Sequence, residues 1–174
     1  MRSINITFLA LWPFSILVGG QLQNTDKPVD QQARITELRN TIRNEELFKS
    51  QPETVIAAIK ELGRLKASSA IDDLVKLITL RQKFEWEKEI DGKIAYSSPP
   101  HLIGVTEYYP AAGALFEIGK PSVPALLRLI ANTPKESIES KNAHTTIMII
   151  YRDDPAEGVS VFRKALAKAK AYLP

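Results

Sequence analysis

Two histidines, His101 and His144, are the only imidazoles in the chain, and no second metal-ligating side chain stands at ligand spacing from either. His101 follows Pro99 and Pro100 in a loop, with Glu107 a short way further on. A histidine and a glutamate make a general acid/base pair where a loop folds one onto the other, but nothing in the spacing requires that fold, and His101 reads as an exposed loop residue. His144 sits beside Ala143 on a helix, as a packed or surface residue. Glu85, Glu87 and Glu89 repeat at every second position and share one face of a strand, which reads as a solvated face opposite Phe84 and Trp86 rather than a calcium or general-acid site. The absence of cysteine removes disulfides, thiolate zinc sites, cysteine nucleophiles and a lipidated leader together. No glycine-rich phosphate loop, nucleophile elbow or metal motif is present. No catalytic, cofactor-binding or metal-binding residue is therefore assigned, and the expectation is a protein that is not an enzyme and needs no cofactor.

What remains with recognition chemistry is aromatic: Phe84, Trp86, Tyr96, Tyr108 and Tyr109 gather in one part of the sequence, and aromatic side chains rank high among interface anchors. These five are the candidate partner-binding residues, and the expected partner is another protein. Nucleic acid is not expected. The net charge is only +3, and Lys and Arg alternate with Asp and Glu through most of the chain instead of forming a basic stripe. The one-signed run Arg163, Lys164, Lys168, Lys170 reads as cations complementing the dipole near a helix C-terminus.

The first twenty residues differ from the rest. Arg2 is the only charge before Asp26, Ile4 to Val18 is mostly apolar, and Val18-Gly19-Gly20 supplies small residues for cleavage. The expectation is a signal peptide over residues 1–20, a polar linker over 21–29 and one domain over 30–174. Such a chain is exported to a bacterial periplasm or exterior and has no stable membrane insertion once the leader is removed. The alternative is an inner-membrane anchor through residues 4–18, which is short for a spanning helix.

The domain is repetitive. Ser122 to Ile130, Ala70 to Ile78 and Gly158 to Leu166 share one pattern, with apolar residues at i, i+3 and i+7: Ile71, Leu74, Ile78; Val123, Leu126, Ile130; Val159, Phe162, Leu166. A partner helix precedes each copy, with its own stripe: Val55, Ile59, Leu62; Ala111, Leu115, Ile118; Ala143, Ile147, Ile150. The unit is a helical hairpin. Gly63 and Gly119 are expected as left-handed helix ends, and Ser69, Ser122, Thr133 and Asp154 as N-caps. A further helix from Asp30 to Asn44 turns Ile35, Leu38 and Ile42 to one side, as a cap or half-repeat. The first two copies start further apart than the last two. The stretch from Phe84 to Tyr96, with Asp91-Gly92 as a two-residue turn, fills the difference as an inserted β-hairpin over about 84–96.

The unit AAGALFEIGKPSVPALLRLI, Ala111 to Ile130, resembles the bacterial HEAT-like repeats related to those of phycobiliprotein lyases, in which an Ala/Leu-rich helix ending in Ile-Gly precedes Pro-Ala-Leu-Leu and a closing helix. The resemblance is close in that unit, fair from Pro52 to Ile78 and weaker from Ala143 to Leu166. It implies an all-α fold, a short right-handed superhelix of hairpins that serves as a scaffold or adaptor for another protein. It places no functional residue, because the matching positions are packing positions. A lyase-like enzyme or small-ligand binder using the loop from His101 to Tyr109 is the second reading, and a membrane-tethered envelope component is the third.

Overall fold

Pro28, Pro52, Pro110 and Pro155 each stand at the first position of a helix, where the missing N–H costs nothing and the fixed φ is already helical. The computed structural model describes residues 28–84, 87–90, 93–96 and 104–170. The expected leader, residues 1–20, lies outside them, as do 21–27 of the expected linker. The chain is mostly helical, and the all-α class holds. Its α-helices are α1 (Pro28–Arg43), α2 (Glu45–Ser50), α3 (Pro52–Arg64), α4 (Ile71–Lys76), α5 (Val105–Tyr108), α6 (Pro110–Ile118), α7 (Val123–Asn132), α8 (Ile138–Ile150) and α9 (Pro155–Lys170). Two short strands, β1 (Glu87–Ile90) and β2 (Lys93–Tyr96), pair antiparallel with Glu87 opposite Tyr96 and Ile90 opposite Lys93. Phe84 thus precedes the ladder.

The stripes of the first helices point inward. Val55, Ile59 and Leu62 of α3 and Ala111 and Leu115 of α6 have no exposed surface, nor have Ala143 and Ile147 of α8. Helix α6 packs on α3 at one side and on α8 at the other, while α4 lies against α6 and α7. Ile35, Leu38 and Ile42 carry α1 into the same core. At its solvent edge Arg34 grips Glu61 with both Nε and Nη2, at 2.9 and 2.8 Å, and this hydrogen bonding holds the Glu61 carboxyl below its ordinary range. Among the second helices, Leu74, Ile78, Val123 and Leu126 are buried, Ile71 and Ile130 half-buried. Val159 departs from the expected pattern and is 50% exposed. The reason is Gly158, one residue earlier: a Cβ there would lie 2.8 Å from Cβ of Tyr151, so α9 seats its backbone against the end of α8 and turns Val159 aside.

Several helix ends also differ from expectation. Gly63 lies inside the last turn of α3, and the left-handed residue is Lys66, at φ 50°. Lys66 N–H donates to Gly63 O at 2.8 Å and Ala67 N–H to Leu62 O at 3.0 Å, the five-to-two and six-to-one bonds, respectively, that close a helix. Gly63 is needed for proximity instead, since a Cβ there would meet Ala114 Cα at 2.7 Å. Gly119 does take positive φ, at 80°. Ser122 is no cap: it is fully buried, and its hydroxyl donates to the carbonyls of Leu115 and Gly119 at 3.0 and 2.7 Å, tying the turn to the helix before it. Ser69 falls within a 3-10 turn (Ser68–Ala70), and no side-chain cap bond opens that turn or α4. Thr133 ends α7; the cap of α8 is Ser137, whose Oγ accepts from Ser140 N–H. Asp154 caps α9 as expected, accepting from Glu157 N–H at 3.1 Å.

The exchange of roles between Gly63 and Lys66 has a measurable consequence. Gly63→Ala is expected to cost about 1–3 kcal/mol by forcing α3 and α6 apart. Lys66→Gly relieves a left-handed side chain and is expected to gain about 0.5–1 kcal/mol. Urea unfolding followed at 222 nm reads both, and the same sign at the two positions contradicts the assignment.

Candidate functional site

Helices α3 and α6 approach closely at Gly63 and Ala114, so their longer side chains stand up on either side of a cleft. Its volume is about 560 Å³. Lys60 and Arg64, one helical turn apart on the outer face of α3, form one wall. Glu117 of α6 and Glu107 of α5 bring carboxylates to the other, with Gly113 and Pro110 between them. Gln82 and Phe84, from the segment after α4, complete the lining with Thr106. That segment is fixed by its backbone, because Gln82 N–H donates to Tyr108 O at 2.9 Å.

Two electrostatic features characterise this cleft. Gln82 Oε1 is buried without a hydrogen-bond partner, the one such side-chain atom among the described residues. An unmet buried acceptor costs about 1–3 kcal/mol, which makes Gln82 a position of note in the lining. The second feature is the charge of the walls. Lys60, Arg64, Glu107 and Glu117 line it together, and like surface charges such as Lys49 and Lys76 they have no salt bridge among the described residues. Two cations facing two carboxylates across an open groove, with a buried amide oxygen and an aromatic ring, suit hydrogen bonding and charge pairing to a polar ligand.

Of the five aromatic candidates, the structure brings Phe84 and Tyr108 together: their rings meet edge to face with centroids 5.6 Å apart. Arg81 lies over the Tyr108 ring at 5.2 Å and donates from Nη2 to Glu87 Oε1 at 2.6 Å. The Glu87 side chain is only 7% exposed, which corrects the expectation of a solvated glutamate at that position: it answers a guanidinium instead. Tyr109 is half-buried against the core. Trp86 lies outside the described residues, as do Glu85 and His101; Tyr96 is placed by its backbone at the end of β2. His144 packs its ring against Phe162, centroids 5.6 Å apart. Sequence reading passed over Lys60, Arg64, Gln82 and Glu117. The available signal was weak: Lys60 and Arg64 lie off the apolar stripe of α3 with no acidic residue four positions away from Lys60 to pair it along the helix.

Among the described residues no helix is long and apolar enough to cross a membrane, and no group of three or more His, Cys, Asp or Glu side chains could hold a metal ion. Fold and cleft together define a class, an all-α protein with a groove of mixed charge between two of its inner helices. No family model, curated protein or solved structure matches the chain.

Proposed function

We propose that the chain is an exported, HEAT-like α-solenoid that acts as a scaffold or adaptor without catalysis, gripping a segment of another protein in the cleft between α3 and α6. The solenoid reading is supported by the order of packing, since α3, α6 and α8, the first helices of successive hairpins, contact one another in turn and α4 and α7 make a second row. The paired strands β1 and β2 are an insertion between the first and second units. The observation that carries the functional reading is the buried, unpartnered Gln82 Oε1 in a cleft also lined by Lys60, Arg64, Glu107 and Glu117. A peptide main chain offers the N–H that Gln82 lacks, and charged side chains of both signs find complements on the two walls. Phe84 supplies the apolar anchor, with Tyr108 behind it.

The test compares the full chain with a Lys60→Glu/Arg64→Glu double variant and with Phe84→Ala, each immobilised and exposed to extract of the exporting cell. Proteins retained by the original chain are expected to bind the double variant at least about tenfold more weakly and Phe84→Ala by about 1 kcal/mol or more, with helical circular dichroism unchanged. Equal retention by all three removes the cleft from the proposal. A thermal shift on addition of small molecules, with no protein retained, favours the ligand-binding reading instead.

A further inference from the structure

A second groove lies between α8 and α9, with a volume of about 300 Å³. Ile147 and Met148 line it from α8, Tyr151 from the turn after that helix, and Gly158, Val159 and Phe162 from α9. Met148 and Val159 are 57% and 50% exposed, among the most exposed large apolar side chains described. The groove exists because Gly158 seats α9 on Tyr151 and leaves Val159 at the lip. A concave apolar slot floored by an isoleucine and edged by a flexible thioether is the geometry that receives the apolar face of a helix.

Charge selects the occupant. Beyond Val159, α9 carries Arg163, Lys164, Lys168 and Lys170 and no acidic residue. Val159 and Arg163 are one turn apart, so the apolar lip runs into a cationic one. Glu157 is turned to Lys120, which it holds above its ordinary range through a hydrogen bond. At the other end Arg152 is paired only with Asp153, 71% and 89% exposed, a pair that solvent renders weak and exchangeable. The chain's own apolar stretch Ile4 to Val18 contains no acidic residue.

We infer that the α8–α9 groove docks an amphipathic helix that carries acidic residues beside its apolar face, at a site separate from the α3–α6 cleft. The probes are two fluorescein-labelled helical peptides with leucines at i, i+3, i+4 and i+7, one flanked by glutamates and the other by lysines at the same positions, read by anisotropy against the full chain. The glutamate peptide is expected to bind at least about tenfold more tightly than the lysine peptide, and to weaken at least about tenfold between low and high salt. Met148→Glu and Val159→Glu, both on exposed side chains, are expected to lose about tenfold or more, and Arg163→Glu/Lys164→Glu to abolish the preference for acid. The Lys60→Glu/Arg64→Glu variant binds the peptide normally, which separates this groove from the cleft. Equal binding of the two peptides, binding of neither, or full affinity in the Met148 and Val159 variants overturns the proposal. So does a chain that ignores the peptides but binds phosphatidylglycerol vesicles through Met148, because the surface then faces a membrane.

Discussion

Leu126→Ala is expected to cost about 2–5 kcal/mol, and Arg128→Ala on the same helix well under about 1 kcal/mol. Leu126 has no exposed surface and sits on α7 where that helix meets α4 and α8. Truncation removes buried methyl groups and leaves a cavity bordered by two other helices, neither of which collapses without disturbing its own stripe. Arg128 projects to solvent, its side chain 66% exposed, and reaches Asp72 Oδ1 of α4 only at 3.3 Å, with Asp72 itself 82% exposed. An ion pair of that kind contributes little against the entropy of fixing two long side chains. Urea unfolding of the two variants separates them by their midpoints. Equal midpoints would mean that α7 is rotated from the orientation described.

The pair Leu126 and Arg128 shows why so much of the core was legible. An apolar residue repeated at helical spacing has one place to go, and the inner stripes of α1, α3, α6, α7 and α8 follow it. Legibility failed where a backbone contact replaced a side-chain one. Gly63 carried the signature of a helix end, yet its missing Cβ is spent on Ala114, and Lys66 accepts the left-handed conformation. Gly158 likewise rotates α9 and exposes Val159, although the residue pattern of α9 matches that of α7. Ser122 stood at an N-cap position, but being fully buried its hydroxyl is drawn to the carbonyls behind it. The cleft was least legible of all. Lys60, Gln82, Glu107 and Glu117 share no period and no motif, and converge only when α3, α5, α6 and the segment after α4 are packed. Asn142 shows the same limit in the core: its amide donates to Ile78 O at 2.9 Å, 64 residues away in sequence, a bond no local pattern announces.

Another non-local contact gives the second large effect. Asp73 of α4 is buried, its side chain 8% exposed, and receives three hydrogen bonds from α1: Arg39 Nε to Oδ2 at 2.9 Å, Arg43 Nε to Oδ1 at 2.9 Å and Arg43 Nη2 to Oδ2 at 2.8 Å. Burial pushes the carboxyl up, and the bonds from Arg43 and Arg39 outweigh it, so the group ends below its ordinary range. Asp73→Asn is expected to cost about 3 kcal/mol at neutral pH, the lower end for a broken buried pair because Arg43 is 52% exposed. The amide turns an N–H toward a guanidinium and leaves both arginines facing each other. Its pH dependence follows from the sign of the shift. A carboxyl whose folded value lies below its unfolded one stabilises the fold fully above the unfolded value, about 3.9, and loses that contribution as pH falls through the folded value. The stability difference between the original chain and Asp73→Asn is therefore expected to be constant from pH 7 to about pH 5 and to shrink as the pH drops below about 4. Glu61, held down by Arg34 in the same way, titrates in both proteins and cancels in the difference. A difference that stays constant into acid would show that Asp73 gains nothing from its charge and that α1 is held to α4 by packing around Leu38 and Ile42 alone.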